Sequence, residues 1–107
     1  MAKAQEFKGR IAVASAAPAY PQLSYPQEGE RITSPVYTFR AEARAENTLE
    51  ISIDQNGWLP CRRAGGYWWY DWAGYASGEH QAVVRVAPHN GDKRSASKAV
   101  HFQVKLN

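Results

Sequence analysis

The side chains best suited to bind a ligand or a partner are concentrated in one aromatic segment. Residues 67–72 read YWWYDW, and Tyr75 follows three residues later. Tryptophan and tyrosine rings stack on the C–H faces of sugars and anchor protein interfaces, while arginine and carboxylate groups hydrogen-bond to polar partners. The pattern predicts a binding site, for a protein or a carbohydrate, from the following residues: Tyr67, Trp69, Tyr75, Arg62 and Arg63.

A period of two divides this segment into two faces. On a strand, successive side chains point to opposite sides, so Trp68, Tyr70 and Trp72 share one face, and Tyr67 and Trp69 share the other. One face fills a core and the other is exposed, and a shift of one residue in strand register would exchange them. The alternative is that all of these rings are structural and none binds.

Residues that could catalyse a reaction or hold a metal are few and dispersed. His80, His89 and His101 lie on separate segments, away from Cys61. Because a metal site needs convergent ligands, we predict three solvent-exposed histidines and no metal. Cys61 is predicted to be a small apolar filler, with a nucleophilic or redox role as the alternative. The sequence contains no G-x-S-x-G or H-E-x-x-H motif and no phosphate-binding glycine loop, so no catalytic residue and no cofactor are predicted.

Composition sets further bounds. The chain has 107 residues, which fits one domain. The net charge of +3 is scattered without a run of basic residues, which disfavours nucleic-acid binding. A single cysteine excludes an intramolecular disulfide. No apolar stretch approaches the ~18 residues of a membrane-spanning helix and no signal peptide is evident, so the sequence as it stands predicts a soluble protein, cytoplasmic or already processed.

Short alternating segments separated by turns indicate strands. Apolar and polar residues alternate in four segments: 37–43, 49–54, 84–86 and 100–106. This period predicts strands with one buried and one wet face. The pair Asn56-Gly57 predicts a type I′ turn that joins a strand at 49–54 to a short strand at 58–61. Carboxylates close to turns are expected to cap or to face solvent: Asp54, Asp71, Glu79 and Asp92.

Two groups of residues resemble early-set immunoglobulin-like domains. Residues 50–58, EISIDQNGW, resemble the family's V-x-V-S-x-D-G-G-x-W hairpin, and 68–86 are similar to its W-x-F-x-W … P-G-E-H-x-L-x-V-R-A pattern. The family member named by this resemblance is the C-terminal dimerisation domain of sulfite-oxidase-type molybdopterin enzymes. The resemblance implies an immunoglobulin-like sandwich with Trp58, Trp68 and Trp72 in its core. It also implies a role in packing or dimerisation, without catalytic or metal-binding residues.

The N-terminal residues 1–30 differ from the rest of the chain. They contain several prolines, which favour extended backbone and oppose helix, and are predicted to form a tail. Within the tail, residues 8–14 alternate weakly and include the candidate assembly residues Arg10, Ile11 and Val13. This segment could add as an edge strand in this molecule or in a neighbour, and a head-to-tail contact of that kind builds rings or filaments. The alternative is a flexible leader.

These observations predict an all-β, immunoglobulin-like (early-set) β-sandwich of about seven strands over residues 31–107. The favoured function is a non-catalytic interaction module that supports oligomerisation or a larger protein assembly, with a protein partner or a second copy of the chain. The alternative is a carbohydrate-binding module that uses Tyr67, Trp69 and Tyr75 as a platform for polysaccharide.

Overall fold

Strands account for all regular structure in the described part of the chain. The structure, a computed structural model, describes residues 20–44, 48–87 and 96–107. Within these residues nine strands are formed: β1 (Gln22–Tyr25), β2 (Arg31–Ile32), β3 (Val36–Glu42), β4 (Thr48–Ile53), β5 (Leu59–Pro60), β6 (Arg62–Ala64), β7 (Tyr67–Ala73), β8 (Gly78–Ala87) and β9 (Val100–Val104). The count exceeds the predicted seven because β2 and β5 are edge strands of only two residues each.

The strands form two sheets. One has five strands in the order β2-β9-β8-β4-β5, and the other has four in the order β1-β3-β7-β6. Neighbouring strands are antiparallel except β2 and β9, which run parallel. In the four-stranded sheet, Arg40 of β3 and Arg62 of β6 both lie opposite Trp69 of β7. This register places Arg40, Arg62 and Trp69 on the same surface of the sheet.

The core lies between the two sheets and uses the predicted inward faces. Phe39 of β3 and Phe102 of β9 are 1% and 2% exposed, and their ring centroids lie 5.8 Å apart, edge to face. The buried apolar residues come from both sheets: Ile32, Phe39, Ala41, Leu49, Ile51, Ile53, Trp68, Ala82, Val84, Phe102 and Val104. Each large side chain buried in this way contributes about 1.5–3 kcal/mol. The predicted alternation is confirmed, with Trp68 inward and Trp72 packed against the core.

The hairpin between β4 and β5 is confirmed, but its turn lies two residues earlier than predicted. Asp54 and Gln55 have positive φ angles of 55° and 61°, and the Asn56 amide donates to the Ile53 carbonyl at 3.1 Å. Positive φ at both central residues defines a type I′ turn. Aspartate tolerates this conformation because its short polar side chain bonds locally.

The shifted turn also changes the position of Trp58. The resemblance placed this ring in the core, and that expectation is wrong. Trp58 is half-buried on the outer side of the five-stranded sheet, where the guanidinium of Arg85 lies 4.1 Å from its ring centroid. Arg85 is in turn bound to Glu50 by a 2.9 Å ion pair. The ring is stabilised by a cation–π contact instead of by the apolar core.

The sandwich includes part of the segment assigned to the tail. Gln22–Tyr25 forms β1 and pairs with β3, so that Leu23 lies opposite Ala41 and packs against the core. Residues 22–25 are therefore an edge strand of the four-stranded sheet. The candidate strand at 8–14, with Arg10, Ile11 and Val13, lies outside the described residues, and its role stays a prediction.

Candidate binding face

The outer surface of the four-stranded sheet carries the candidate binding residues that the fold brings together. We call this surface the aromatic face and define it by Tyr25, Arg40, Arg62, Tyr67 and Trp69. The five residues come from all four strands of the sheet, and alternation directs their side chains away from the core. The structure therefore groups three of the five predicted binding residues and adds two that sequence reasoning missed.

Contacts within the aromatic face are aromatic and cationic. The Tyr67 and Trp69 ring centroids lie 6.0 Å apart with their planes at 70°. The Trp69 indole N–H donates to the Ala64 carbonyl at 2.9 Å, which fixes the ring over the hairpin between β6 and β7. The Arg40 guanidinium lies between two rings, 4.3 Å from the Tyr67 centroid and 4.8 Å from that of Tyr25. These side chains hold one another in place.

One end of the aromatic face is polar. Asp71 accepts hydrogen bonds from Arg62 Nη2 at 3.2 Å and from Thr38 Oγ1 at 2.9 Å. The hydrogen bond from Arg62, followed by that from Thr38, lowers the pKa of the Asp71 carboxyl. Arg62 and Asp71 are both well exposed, so this ion pair is screened by water and contributes little to stability.

Two of the predicted binding residues lie elsewhere. Arg63 follows the inward alternation of β6, and its guanidinium lies 5.9 Å from the Trp68 ring centroid. Tyr75 stacks on Trp72 with centroids 3.8 Å apart, and its hydroxyl donates to the Ser34 carbonyl at 2.6 Å. Burial raises the pKa of Tyr75. The loop after β7 turns Tyr75 towards the end of the sandwich, so it does not extend the platform of Tyr67 and Trp69.

A second arrangement, at the end of the sandwich beside Tyr75, was not expected. His80 Nδ1 lies 2.6 Å from Asp54 Oδ2, and His80 Nε2 lies 2.8 Å from the Ala76 carbonyl oxygen. Both ring nitrogens face acceptors, and only the protonated imidazolium donates at both positions. The Gln81 backbone N–H donates to the other oxygen of Asp54 at 2.9 Å. The site ties the β4–β5 turn to the loop before β8.

The prediction of an exposed His80 is therefore wrong. Its side chain is only 12% exposed, stacked on Phe102 at 5.8 Å and set against the edge of Trp72. Burial opposes protonation, but the hydrogen bonds to Asp54 and to the Ala76 carbonyl outweigh it and raise the pKa of His80. His101 stays largely exposed, 3.4 Å from Glu28, as the sequence predicts. The sequence did not reveal that β4 pairs with β8, and it is this pairing that sets Asp54 beside Gln81.

The His80 pair borders a groove of about 330 Å³ that is also lined by Tyr70, Trp72 and Tyr75. The rings that line it are already engaged, since Trp72 stacks on Tyr75 and presents its edges to the core. His80 is likewise satisfied on both sides. These contacts, and not the groove itself, hold the loop end of the sandwich together.

Cys61 occupies the point where the chain passes from one sheet to the other, between β5 and β6. Its side chain packs against the core, and its amide donates to the Leu49 carbonyl at 2.9 Å. Burial, with a smaller contribution from the Glu50 carboxylate, raises the pKa of the Cys61 thiol to about 12. The thiol keeps its proton at neutral pH, which supports the prediction of a filler and weakens that of a nucleophile.

We expect the native Cys61 thiol to react with iodoacetamide at pH 8 at least about tenfold more slowly than the unfolded chain, because the thiolate is the nucleophile. The alkylated fraction is followed by mass spectrometry, with and without guanidinium chloride. Since Cys61 is the only cysteine, Cys61→Ser gives the background. Equal rates for the native and unfolded chains would contradict the protected thiol.

No group of three or more histidine, cysteine, aspartate or glutamate side chains placed to hold a metal ion occurs within residues 20–44, 48–87 and 96–107. In the same described ranges no helix is long and apolar enough to cross a membrane.

Comparison with known proteins gives matches among solved structures. Neither a protein-family model nor a curated protein sequence matches this chain. The crystal structure of an engineered protein matches 91% of this chain with a TM-score of 0.56 and 18% identity, and the match covers 21% of the engineered chain. This chain thus spans about a fifth of the length of that protein.

Two natural proteins give weaker matches. The fibronectin(III)-like modules of Clostridium thermocellum CbhA match 79% of this chain and 93% of theirs, with 17% identity and a TM-score of 0.49. A modular endo-beta-1,4-mannanase from Cellulomonas fimi matches 90% of this chain and 20% of its own, with 20% identity and a TM-score of 0.47.

At these identities the matches concern the fold alone. Together with the match of TM-score 0.56, the two-sheet topology defines the chain as an all-β sandwich, which confirms the predicted all-β sandwich class. The matches do not support the narrower resemblance to the dimerisation domain of sulfite-oxidase-type enzymes, which stays a prediction.

Proposed function

We propose that this chain is a non-catalytic interaction module that assembles with a second copy of itself, or with another protein, through the aromatic face. The observation that carries the proposal is the packed group of Arg40 between Tyr25 and Tyr67, beside Trp69, on the outside of a sheet. Tyrosine, tryptophan and arginine are the residue types that contribute most to protein interfaces. Tyr25 is 41% exposed, so the group is accessible.

The geometry favours a protein over a polysaccharide. A polysaccharide platform presents rings in a common plane, whereas the planes of Tyr67 and Trp69 stand at 70°. Tyr75, the third ring of that alternative, is stacked on Trp72 at the end of the sandwich. Carbohydrate binding therefore remains the second candidate, with Tyr67 and Trp69 as its contacts.

Two observations support a non-catalytic role. Cys61 keeps its proton because its pKa is raised to about 12, so it is a poor nucleophile. His80 is held on both sides, by Asp54 and by the Ala76 carbonyl, and neither ring nitrogen is free to act as a base.

The test is the solution mass of the full chain, measured by light scattering after size exclusion over a concentration series. We expect the mass to rise above 12.0 kDa with concentration in the native chain and to stay at the monomer value in Trp69→Ala. Trp58→Ala is the matched control, because that ring lies on the outer side of the other sheet, and it should behave like the native chain. Deletion of residues 1–15 tests the tail separately.

A strict monomer at every concentration would contradict self-assembly. In that case a change of tryptophan fluorescence on adding polysaccharides, lost in Trp69→Ala, would support the carbohydrate alternative. Circular dichroism of Trp69→Ala checks that loss of the bond to the Ala64 carbonyl leaves the fold intact.

A further inference from the structure

Arg40 is the one arginine of the aromatic face whose hydrogen-bonding groups find no acceptor among the described residues. Arg62 bonds to Asp71, and Arg85 of the opposite sheet bonds to Glu50. The contacts of Arg40 are instead with the rings of Tyr25 and Tyr67. Its Nε is buried and has no hydrogen-bond partner, whereas its two terminal nitrogens are not buried and unpartnered in this way. A guanidinium has five donors and no acceptor, so this is an unusual concentration of unused donors.

Two tyrosine rings contact this guanidinium. Its central carbon lies 4.3 Å from the Tyr67 ring centroid and 4.8 Å from that of Tyr25, and these rings come from the strands on either side of β3. Cation–π contacts with tyrosine satisfy the positive charge in part, but they leave the N–H groups without acceptors. A donor without an acceptor is unfavourable, and a group that accepts from it removes that cost.

The neighbouring carboxylates are committed elsewhere. Glu42, two residues further along the same face of β3, accepts a 2.7 Å hydrogen bond from Ser24 Oγ. Asp71 is held by Arg62 and Thr38. Neither of these described carboxylates forms an ion pair with Arg40, although opposite charges are present on the same surface. The acceptor that would complete Arg40 therefore has to come from outside the described residues.

We infer that Arg40 is the anchor of the aromatic face and takes a side-chain carboxylate of the partner protein beside Tyr25 and Tyr67. A carboxylate is planar and accepts two parallel hydrogen bonds from a guanidinium, a geometry that a tetrahedral anion matches less well. The surrounding Tyr25, Tyr67 and Trp69 shield this pair from water, which strengthens it. The inference rests on the proposed interaction role of this face and names the chemistry of its partner.

Nuclear magnetic resonance of the 15N-labelled full chain tests this inference. The Arg40 Nε–H signal, assigned by its loss in Arg40→Lys, is followed during titration with hexaglutamate, acetate, inorganic phosphate and hexalysine. We expect a saturable shift with hexaglutamate, a weaker shift in the same direction with acetate, and none with hexalysine. Because Nε is buried, its proton exchanges slowly with water and stays observable.

Two lysine variants separate the effect of the planar guanidinium geometry from the effect of its positive charge. Arg40→Lys keeps the charge but loses the planar pair of donors, and we expect it to weaken hexaglutamate binding by at least about tenfold. Arg62→Lys is the matched control on the same face, since Arg62 is already paired with Asp71, and we expect less than about a threefold change. Binding is measured from the backbone amide shifts of β3 and β7 in both variants.

Three outcomes would each overturn the inference: no saturable shift with a carboxylate probe, saturation by phosphate but not by hexaglutamate, or equal weakening in the two variants. The solution-mass series then separates the Arg40 anchor from self-assembly. An assembly that persists in Arg40→Lys would leave the proposed function standing and overturn the anchor. Carboxylate binding by a strictly monomeric chain would keep the anchor and remove self-assembly.

Discussion

Phe39→Ala is expected to lower the free energy of unfolding by about 3–5 kcal/mol, the range for truncating a buried phenylalanine. Phe39 is 1% exposed and lies at the centre of an aromatic cluster, with ring centroids 5.4 Å from Tyr37 and from Trp72 and 5.8 Å from Phe102. Truncation removes edge-to-face contacts in three directions and leaves a cavity that two hydrogen-bonded sheets cannot close. Because small domains are stable by only about 5–15 kcal/mol, much of the total is lost.

Urea denaturation followed by tryptophan fluorescence measures this change. Val36→Ala is the matched control at the start of the same strand, since Val36 is 61% exposed, and it should shift stability by no more than about 0.5 kcal/mol. If the two variants were equally stable, the sandwich core would not be centred on β3 and β9, and the packing described above would be contradicted. If Phe39→Ala does not fold at all, Phe39→Leu provides a smaller loss in the same direction.

Asp54→Asn is expected to remove a pH-dependent part of the stability. The folded state raises the pKa of His80, so the protonated form is the stabilised one. This contribution is fully present below the pKa of the unfolded histidine, about 6.5, and is lost as the pH rises through the higher folded pKa. We therefore expect the native chain to exceed Asp54→Asn by roughly 1–2 kcal/mol at pH 5.5, and the difference to shrink towards pH 9.

Asparagine is the right replacement for geometric reasons. Asp54 has a φ of 55°, which asparagine tolerates and alanine does not. One amide oxygen can still accept from the Gln81 N–H, while the amide nitrogen turns to His80 and suits its neutral form. The variant should thus lower the pKa of His80 itself, which an imidazole titration by nuclear magnetic resonance measures.

His101→Gln is the control for this pH dependence. His101 and Glu28 are more than half exposed and 3.4 Å apart, so their interaction is screened and should leave the stability profile unchanged. Identical profiles for the native chain and Asp54→Asn, or a difference that grows with pH, would show that His80 is not held in its protonated form.

Both predictions concern the scaffold behind the aromatic face. Phe39 and Arg40 are neighbours on β3, so the residue that anchors the core directs the next one to the outer surface. The His80 pair fixes the loop end of the sandwich, whereas the aromatic face is the outer surface of β1, β3, β6 and β7. Core and face can therefore be tested by separate substitutions with separate readouts.

The sequence by itself determined the strands, their faces and the broad architecture. Alternation in 37–43, 49–54 and 100–106 specifies which side chains are buried, because a strand buries every second residue whatever its neighbours are. The same rule assigned Trp68 and Trp72 to one face and Tyr67 and Trp69 to the other. These features depend on residues close together in the chain, so a single sequence is enough to find them.

Only the tertiary structure decided which side chains meet. The cation–π contacts of Arg40 involve Tyr25 from β1 and Tyr67 from β7. The His80 pair involves Asp54, in a turn 26 residues away along the chain. Trp58 and Tyr75 took unexpected positions because turns, and not strand periodicity, direct them. Cross-strand neighbours are fixed by the register of distant segments, and that register follows from packing the whole core at once, which no local pattern records.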